Sequence, residues 1–399
     1  MNIPFLDLTR QYKNLQAEVE PIAIEVLRSG AYIGGKYVAA FEEQMKVHLG
    51  VKHVIGCANG TDALMIALRA CGVNPGDEVI TTPFTFFATA EAIGAIGAVP
   101  VFADVNETDF NIDPAQIEQH ITAKTKAILP VHIFGWPADM DAIHAIAEKH
   151  GLHVVEDAAQ AIGSTYKNIP IGRSENLVTF SFYPTKNLGA FGDAGMITTN
   201  DDNLATIARA FREHGMAKTG AAARELLYGI KDEFSLSSDQ GDDPLYNPYK
   251  YFNYLVAYNS RLDAVQAAIL GVKLKHLDGY NTKRKEIAAL YDAGLQNVVT
   301  VPKAPSEGES AYHQYAIRTE RKEELAAFLA GRGIGTGAFY PVPLHLQKAF
   351  DHLGYQKGDL PISEMLTEQT VCLPIFPEMT QEEIQTVIQA ICDFEGGKE

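Results

Sequence analysis

The stretch TFSFYPTKNLGAFGDAG, residues 179–195, sets Lys186 just beyond an aromatic and β-branched run and just before three glycines spaced three apart. Val178, Phe180 and Phe182 alternate as in a strand, whereas Pro184, Gly189, Gly192 and Gly195 impose a tight, irregular backbone. A lysine in such a place is either a solvated loop cation or a held amine that can act as a nucleophile. Three other stretches bear on the choice. Asn59-Gly60-Thr61-Asp62 follows HVIGC and opens a helical pattern, so it is either a plain N-cap or an anion cradle of free backbone N–H groups with a hydroxyl. PFTFFATAEA follows EVITT and places Phe86 or Phe87 where a flat ring could stack on a planar ligand or simply pack. Asp157 ends the run LHVVED, with Gln160 one short turn on, and an acid at the buried end of a central strand is costly unless it meets a cation or strong donors.

An anion cradle, a planar wall, a buried carboxylate and a strand-end lysine together are what pyridoxal 5'-phosphate requires. The carboxylate keeps the ring nitrogen protonated and the lysine carries the aldehyde. Each element is weak by itself, and their order along the chain is what makes the set specific.

The elements that would position them alternate between about 53 and 200. Short β-rich runs, HVIGC, EVITT, VPVFAD, AILPVHI, HVVED, VTFSF and GMITT, are separated by GTDALMIALRACG, TAEAIGAIGA, MDAIHAIAEKHG and the segment after NDDNLATIARAFREHG, which carry apolar residues at helical spacing. The pattern predicts an α/β fold, a mostly parallel seven-stranded sheet with helices on both faces, whose ligands gather outside the carboxyl ends of the strands. Residues 217–250 interrupt the alternation with polar, Gly and Asp content and read as an excursion or partly mobile insertion. The run NSRLDAVQAAILGVKLKHLDGYNTKRKEIAALYDAGL reads as a long helical stretch leading out of the large domain, and mixed strand and helix patterns follow. The expected organisation is a large domain over 1–255 and, over 256–399, a linking helix with a smaller C-terminal α+β domain.

The 33 Lys and Arg against 50 Asp and Glu give a formal charge of -17, with no basic run to track a phosphate backbone, so nucleic acid is not the expected partner. The start MNIPFLDLTRQY shows no basic leader, no window approaches the ~18 apolar residues of a membrane span, and a cytoplasmic protein is expected. Cys57, Cys71, Cys372 and Cys392 are scattered and the twelve histidines lack ligand spacing, so neither a disulfide framework nor a metal site is indicated.

CANGTDAL, GDEVITTPFTFFATA, VVEDAAQAIG, SFYPTKNLGAFGDAG, NSRLDAVQAAIL and YPVPLHLQ resemble successive signatures of the DegT/StrS family of nucleotide-sugar aminotransferases, enzymes of the fold-type I pyridoxal phosphate class. The likeness runs from FLDL near residue 5 to LPIFPEMTQEE near 383. It implies that Lys186 is the cofactor-bearing lysine, Asp157 its pyridinium partner, Gln160 a contact on the phenolic-oxygen side and Phe86 the stacking aromatic. Gly60, Thr61 and Ser181 match phosphate ligands. Asn259 resembles an asparagine that reaches the cofactor phosphate of a neighbouring subunit, which implies a homodimer with shared sites. Arg261 and His313 sit where the family meets its nucleotide-sugar, and the implied amino donor is L-glutamate.

Sugar dehydratases of the same fold carry histidine at the position of Lys186. A nicotinamide enzyme would need a glycine-rich strand-to-helix turn, whereas GIGTGA at 333–338 follows a helical pattern and leads into a strand-like one. A catalytically inactive sensor could keep the fold but has no reason to keep the acid, the glutamine and the lysine together. Two departures from the resemblance, YKYFNYLVAYNSRLD where many relatives show an aromatic-x-His group and the length of 217–250, fall where the sugar is expected.

Overall fold

The computed structural model describes residues 1–231, 251–303, 305 and 307–397. Seven strands form the main sheet: β1 (His53–Cys57), β2 (Glu78–Thr81), β3 (Val99–Phe102), β4 (Thr125–Leu129), β5 (His153–Asp157), β8 (Leu177–Ser181) and β9 (Gly195–Thr199). Two short strands, β6 (Thr165–Tyr166) and β7 (Ile169–Pro170), pair outside it with β10 (Gly308–Glu309). The sheet order is β1-β9-β8-β5-β4-β2-β3. From β8 to β3 all neighbours run parallel, and β9 is antiparallel to both β1 and β8. The expected seven-stranded, mostly parallel sheet is therefore what forms. β4 ends at Leu129, earlier than the apolar run to Ile133 suggests, because the chain turns into a 3-10 turn at Ile133–Gly135.

Helices sit on both faces because each carries an apolar stripe. α1 (Leu8–Ser29) and α2 (Gly35–Leu49) precede the sheet. α3 (Gly60–Ala70), α4 (Ala88–Ala95), the short α5 (Pro114–Ile117), α6 (Met140–His150) and α7 (Asp202–Arg212) are its crossover and flanking elements. Ile66, Ala67 and Leu68 of α3 join Val79, Leu129, Val155 and Ile197 of the strands in one core. On the opposite face Phe41 and Met45 of α2 meet Val54, Val178, Phe180 and Met196.

Part of the segment read as an excursion is regular: Ala217–Tyr228 is helix α8. Its Ala-rich sequence favours helix, and Ala221 and Ala223 are buried. Residues 232–250 lie outside the described residues. The long helical stretch after Arg261 is two helices, α9 (Ala264–Leu274) and α10 (Leu277–Leu295), divided where Lys275 and His276 donate to Val272 and Lys273 in i to i−3 bonds.

The C-terminal unit packs α10, α11 (Lys322–Gly331) and α13 (Gln381–Glu395) around the antiparallel pair β11 (Tyr315–Arg318) and β12 (Thr370–Leu373). Ile3 belongs to this cluster, exchanging backbone bonds of 2.8 Å with Gly333 and Gly335. Helix α12 (Pro361–Gln369) is fastened to the main sheet by Asp104, just past β3. This buried carboxylate accepts from Ile362 N and Ser363 N, both at 2.9 Å, and from Ser363 Oγ at 2.5 Å. Donors to a carboxylate at a helix start satisfy N–H groups that the helix leaves free.

Candidate active site

The carboxyl ends of β1, β5 and β8 converge on one crevice. At β1, Asn59 caps α3, its Oδ1 accepting from Asp62 N at 2.8 Å. The cap leaves the first-turn N–H groups of Gly60 and Thr61 without an intrahelical acceptor at the positive end of the helix. Ser181, ending β8, lies against Gly60 so closely that a Cβ there would come within 2.8 Å of the serine Cβ. Glycine, serine and a helix N-terminus thus share one small space, a donor set suited to a phosphate.

Asp157 ends β5 and is 5% exposed. Its carboxylate accepts from Thr89 Oγ1 at 2.8 Å and from Ala159 N at 3.1 Å. Because the Thr89 proton is committed to Asp157, the Thr85 hydroxyl 3.2 Å away must donate to Thr89. Burial pushes the Asp157 pKa upward, and the Thr89 and Ala159 bonds and the Lys186 charge oppose it. A carboxylate so enclosed is stabilised most by a cation placed against it.

Lys186 sits on a loop that folds back on itself. Phe182 N donates to Ala194 O and Ala190 N to Phe182 O, both at 2.8 Å, while Leu188 and Ala190 anchor in the core. The residue keeps some solvent contact, yet enough of its solvation is lost to bring the amine pKa down to about 8, with Asp157 pulling the other way. Acid and amine therefore share a poorly solvated space.

Gln160 is held at both ends, its Oε1 accepting from Phe134 N and its Nε2 donating to Tyr340 Oη, each at 2.7 Å. Of the two candidate rings, Phe86 is 57% exposed and lies 6.1 Å from the Tyr340 ring, whereas Phe87 packs on Phe350 at 5.6 Å. Phe86 is thus the ring free to face a ligand. His313 is buried beside this group, with Nδ1 3.3 Å from Asn187 Oδ1; burial, then the Lys186 and Arg284 charges, hold its pKa well below the usual histidine range.

Asn259 and Arg261 lie elsewhere, on a concavity of about 510 Å³ shared with Ala58, Asn59, Asp193 and Gln266. Arg261 reaches Glu213 at 3.7 Å. Through Asn59 this concavity adjoins the α3 cradle; Arg261 lines it and His313 does not.

Thr89 and Tyr340 escape reading from the sequence. Thr89 lies in a helix-forming run, and only its 2.8 Å bond to Asp157, 68 residues on, exposes its part. Tyr340 opens the YPVPLHLQ stretch, so a signal existed, but its partner Gln160 is 180 residues away.

A doubly wound sheet whose strand ends bring an acid, an amine and an anion cradle together defines a pyridoxal phosphate enzyme, and the residues present fit that cofactor. The chain belongs to the DegT/DnrJ/EryC1/StrS aminotransferase family, matched over residues 13–392. A Geobacillus stearothermophilus protein named pleiotropic regulatory protein is 46% identical over 99% of both chains. The dTDP-3-amino-3,4,6-trideoxy-alpha-D-glucose transaminase of Streptomyces venezuelae is 38% identical over 98% of this chain and 95% of its own. A UDP-N-acetyl-3-dehydro-alpha-D-glucosamine 3-aminotransferase of Acidithiobacillus ferrooxidans is 38% identical over 98% and 97%. Among solved structures, S. venezuelae DesV in complex with a ketimine intermediate superposes with a TM-score of 0.88 at 38% identity, covering 99% of this chain and 98% of that one. NtdA of Bacillus subtilis, solved with bound cofactor PMP, gives 0.84 at 32% identity over 99% and 85%.

Proposed function

We propose that this aminotransferase moves an amino group from L-glutamate to the ketone of a nucleotide-linked sugar, the nucleotide being UDP or dTDP. The observation that carries the reading is the pairing of a low-pKa amine, Lys186, on the loop after β8, with a buried, donor-held carboxylate, Asp157, at the end of the adjoining β5. The names of relatives similar over nearly the whole chain support the sugar nucleotide.

When bound, pyridoxal phosphate carries the amino group and draws electrons from the carbon that loses its proton. The first-turn N–H groups of Gly60 and Thr61 and the Ser181 hydroxyl hold its phosphate. Asp157, whose ionised form the Thr89 and Ala159 bonds favour against burial, would hold the ring nitrogen positively charged. Phe86 would cover one ring face, and Gln160, fixed by Phe134 and Tyr340, would lie on the phenolic-oxygen side. Lys186 Nζ would tether the aldehyde and, when free, would take and return the proton. With a pKa of about 8, roughly a tenth of the amine is neutral at pH 7, against well under a thousandth for an ordinary lysine.

Arg261 and His313 meet the sugar nucleotide. Asn259 reaches the cofactor phosphate of a second subunit, so the working unit is a homodimer. The large domain extends to about residue 255, with the smaller domain beyond. We place the enzyme in the cytoplasm: its described cysteines are all free, as in a reducing compartment, and no described helix is long and apolar enough to cross a membrane.

Lys186 itself weighs against a dehydratase, and the intact acid, glutamine and lysine weigh against an inactive sensor. The test is to load the enzyme with pyridoxamine phosphate and offer UDP- and dTDP-linked 3- and 4-keto-sugars in turn. Recovery of the visible cofactor band with one of them and formation of the amino-sugar are expected. Discharge by 2-oxo acids alone, with every keto-sugar inert, would overturn the reading.

A further inference from the structure

The residue after the lysine, Asn187, is one link in a chain of buried amides whose ends are main-chain carbonyls. At one end Asn281 Nδ2, on α10, donates to Ile162 O at 3.1 Å. Its Oδ1 must then be the atom that faces Asn187, and it accepts from Asn187 Nδ2 at 2.9 Å. That same Nδ2 also donates to Ala311 O at 2.9 Å. A carbonyl accepts and never donates, so neither amide can be turned round without setting oxygen against oxygen. The remaining atom of Asn187 is an acceptor, Oδ1, and it faces His313 Nδ1 at 3.3 Å. The proton of the ring is therefore on Nδ1.

The neighbours of the ring keep it uncharged. His313 is 6% exposed and stands near the Lys186 and Arg284 cations. Arg284 is pinned above it, donating to the carbonyls of Tyr312, His313 and Ile375 at 3.1, 3.3 and 2.7 Å. A neutral ring with Nδ1 protonated has a bare lone pair on Nε2. The Gln314 Nε2 amide lies 3.4 Å from that nitrogen, a loose contact of the kind an N–H makes with an acceptor. Space for the chain is provided by Gly163, at φ +88°, where a Cβ would sit 2.0 Å from Asn281 Nδ2.

We propose that Asn187 is a positioning residue that fixes His313 as the neutral Nδ1–H tautomer, so that its Nε2 presents only a hydrogen-bond acceptor beside Lys186 and takes an O–H or N–H donor of the substrate, not a carboxylate or phosphoryl oxygen. The tautomer follows from the amide chain alone. The ligand half rests on the keto-sugar reading and assigns His313 to a sugar hydroxyl or amide rather than to the nucleotide phosphates.

The tautomer is read on the cofactor-loaded enzyme without substrate, by long-range 1H–15N correlation of labelled histidine rings, with His313→Gln supplying the assignment. Wild type is expected to show Nδ1 protonated and Nε2 bare at pH 7. Asn187→Leu should mix the tautomers and raise the sugar-nucleotide KM roughly tenfold, the loss of one or so hydrogen bonds, while the glutamate KM stays within about twofold. Asn281→Leu leaves Ala311 O to orient Asn187, so it should keep the wild-type tautomer with a KM change of about twofold or less. An Nε2-protonated or doubly protonated ring in wild type, or an unchanged tautomer in Asn187→Leu, overturns the proposal. A mixed tautomer with an unchanged sugar-nucleotide KM overturns its ligand half. Failure of the keto-sugar reading shows separately, as inert keto-sugars in an enzyme whose tautomer is as described.

Discussion

Lys186, on the loop after β8, and Lys273, near the end of α9, are both brought by burial to a pKa of about 8. Their surroundings differ. Lys273 is 1% exposed and bonded: its Nζ donates to Gln11 Oε1 at 2.7 Å and stands 5.4 Å from the Phe191 ring, with Glu378 the charge that opposes its loss of solvation. Lys186 Nζ makes no hydrogen bond among the described residues, and the charge that opposes its desolvation is Asp157, a carboxylate itself held by two donors. Equal pKa values thus arise in a packed joint and in a crevice. A displaced pKa marks where an amine is poorly solvated; only the free valence and the companions mark where it can react.

The comparison breaks most directly by exchanging the lysines' fates. Lys186→Ala should lower turnover by on the order of 10⁴-fold, the upper range for losing a positioned acid-base group, and should abolish borohydride-stable attachment of the cofactor. Lys273→Met should leave turnover within a few-fold. Comparable losses at the two positions would show that Lys273 also reaches the reaction.

A smaller effect sharpens the part played by the companion acid. Thr89→Val removes a donor to a buried carboxylate, a bond of about 1.5–3 kcal/mol, so cofactor affinity measured by equilibrium dialysis should fall roughly tenfold or more. Unchanged affinity would mean that Asp157 needs no help to stay ionised.

The smallest effect concerns stability. Each lysine is near 8 in the folded chain and about 10.4 unfolded. Between those values the unfolded state binds more protons, so both sites make stability rise with pH from about 8 towards 10, with the full penalty present below pH 8. In urea titrations of apoenzyme at a series of pH values, Lys273→Met should flatten that rise. An unaltered slope would place the Lys273 ammonium in contact with water.

The sheet was legible because its strands are β-branched runs with breakers at their ends, and three of them, HVIGC, HVVED and GMITT, occupy the bounds read for them. Lys186 and Asp157 stood out by position, since strand ends are where a charged residue is least expected to serve packing. The choice between Phe86 and Phe87 was not legible, as adjacent residues on a turn differ only in what tertiary structure brings near them. The same holds for the links from Asn187 to Asn281 and His313, 94 and 126 residues away. Helix α8, inside the segment that reads as an excursion, was not legible because Gly220 and the polar sequence beyond it outweigh its alanines.

Asp104 has a mechanical consequence. The helix it grips leads directly into β12, whose neighbour β11 follows Tyr312 and His313, and Gly337 pairs with Cys372 of β12 three residues before Tyr340. Swinging this wall away from the lysine would break the three bonds that the buried Asp104 carboxylate accepts. The strand pair and turn that carry His313 and Tyr340 are thereby tied to the sheet that carries Asp157.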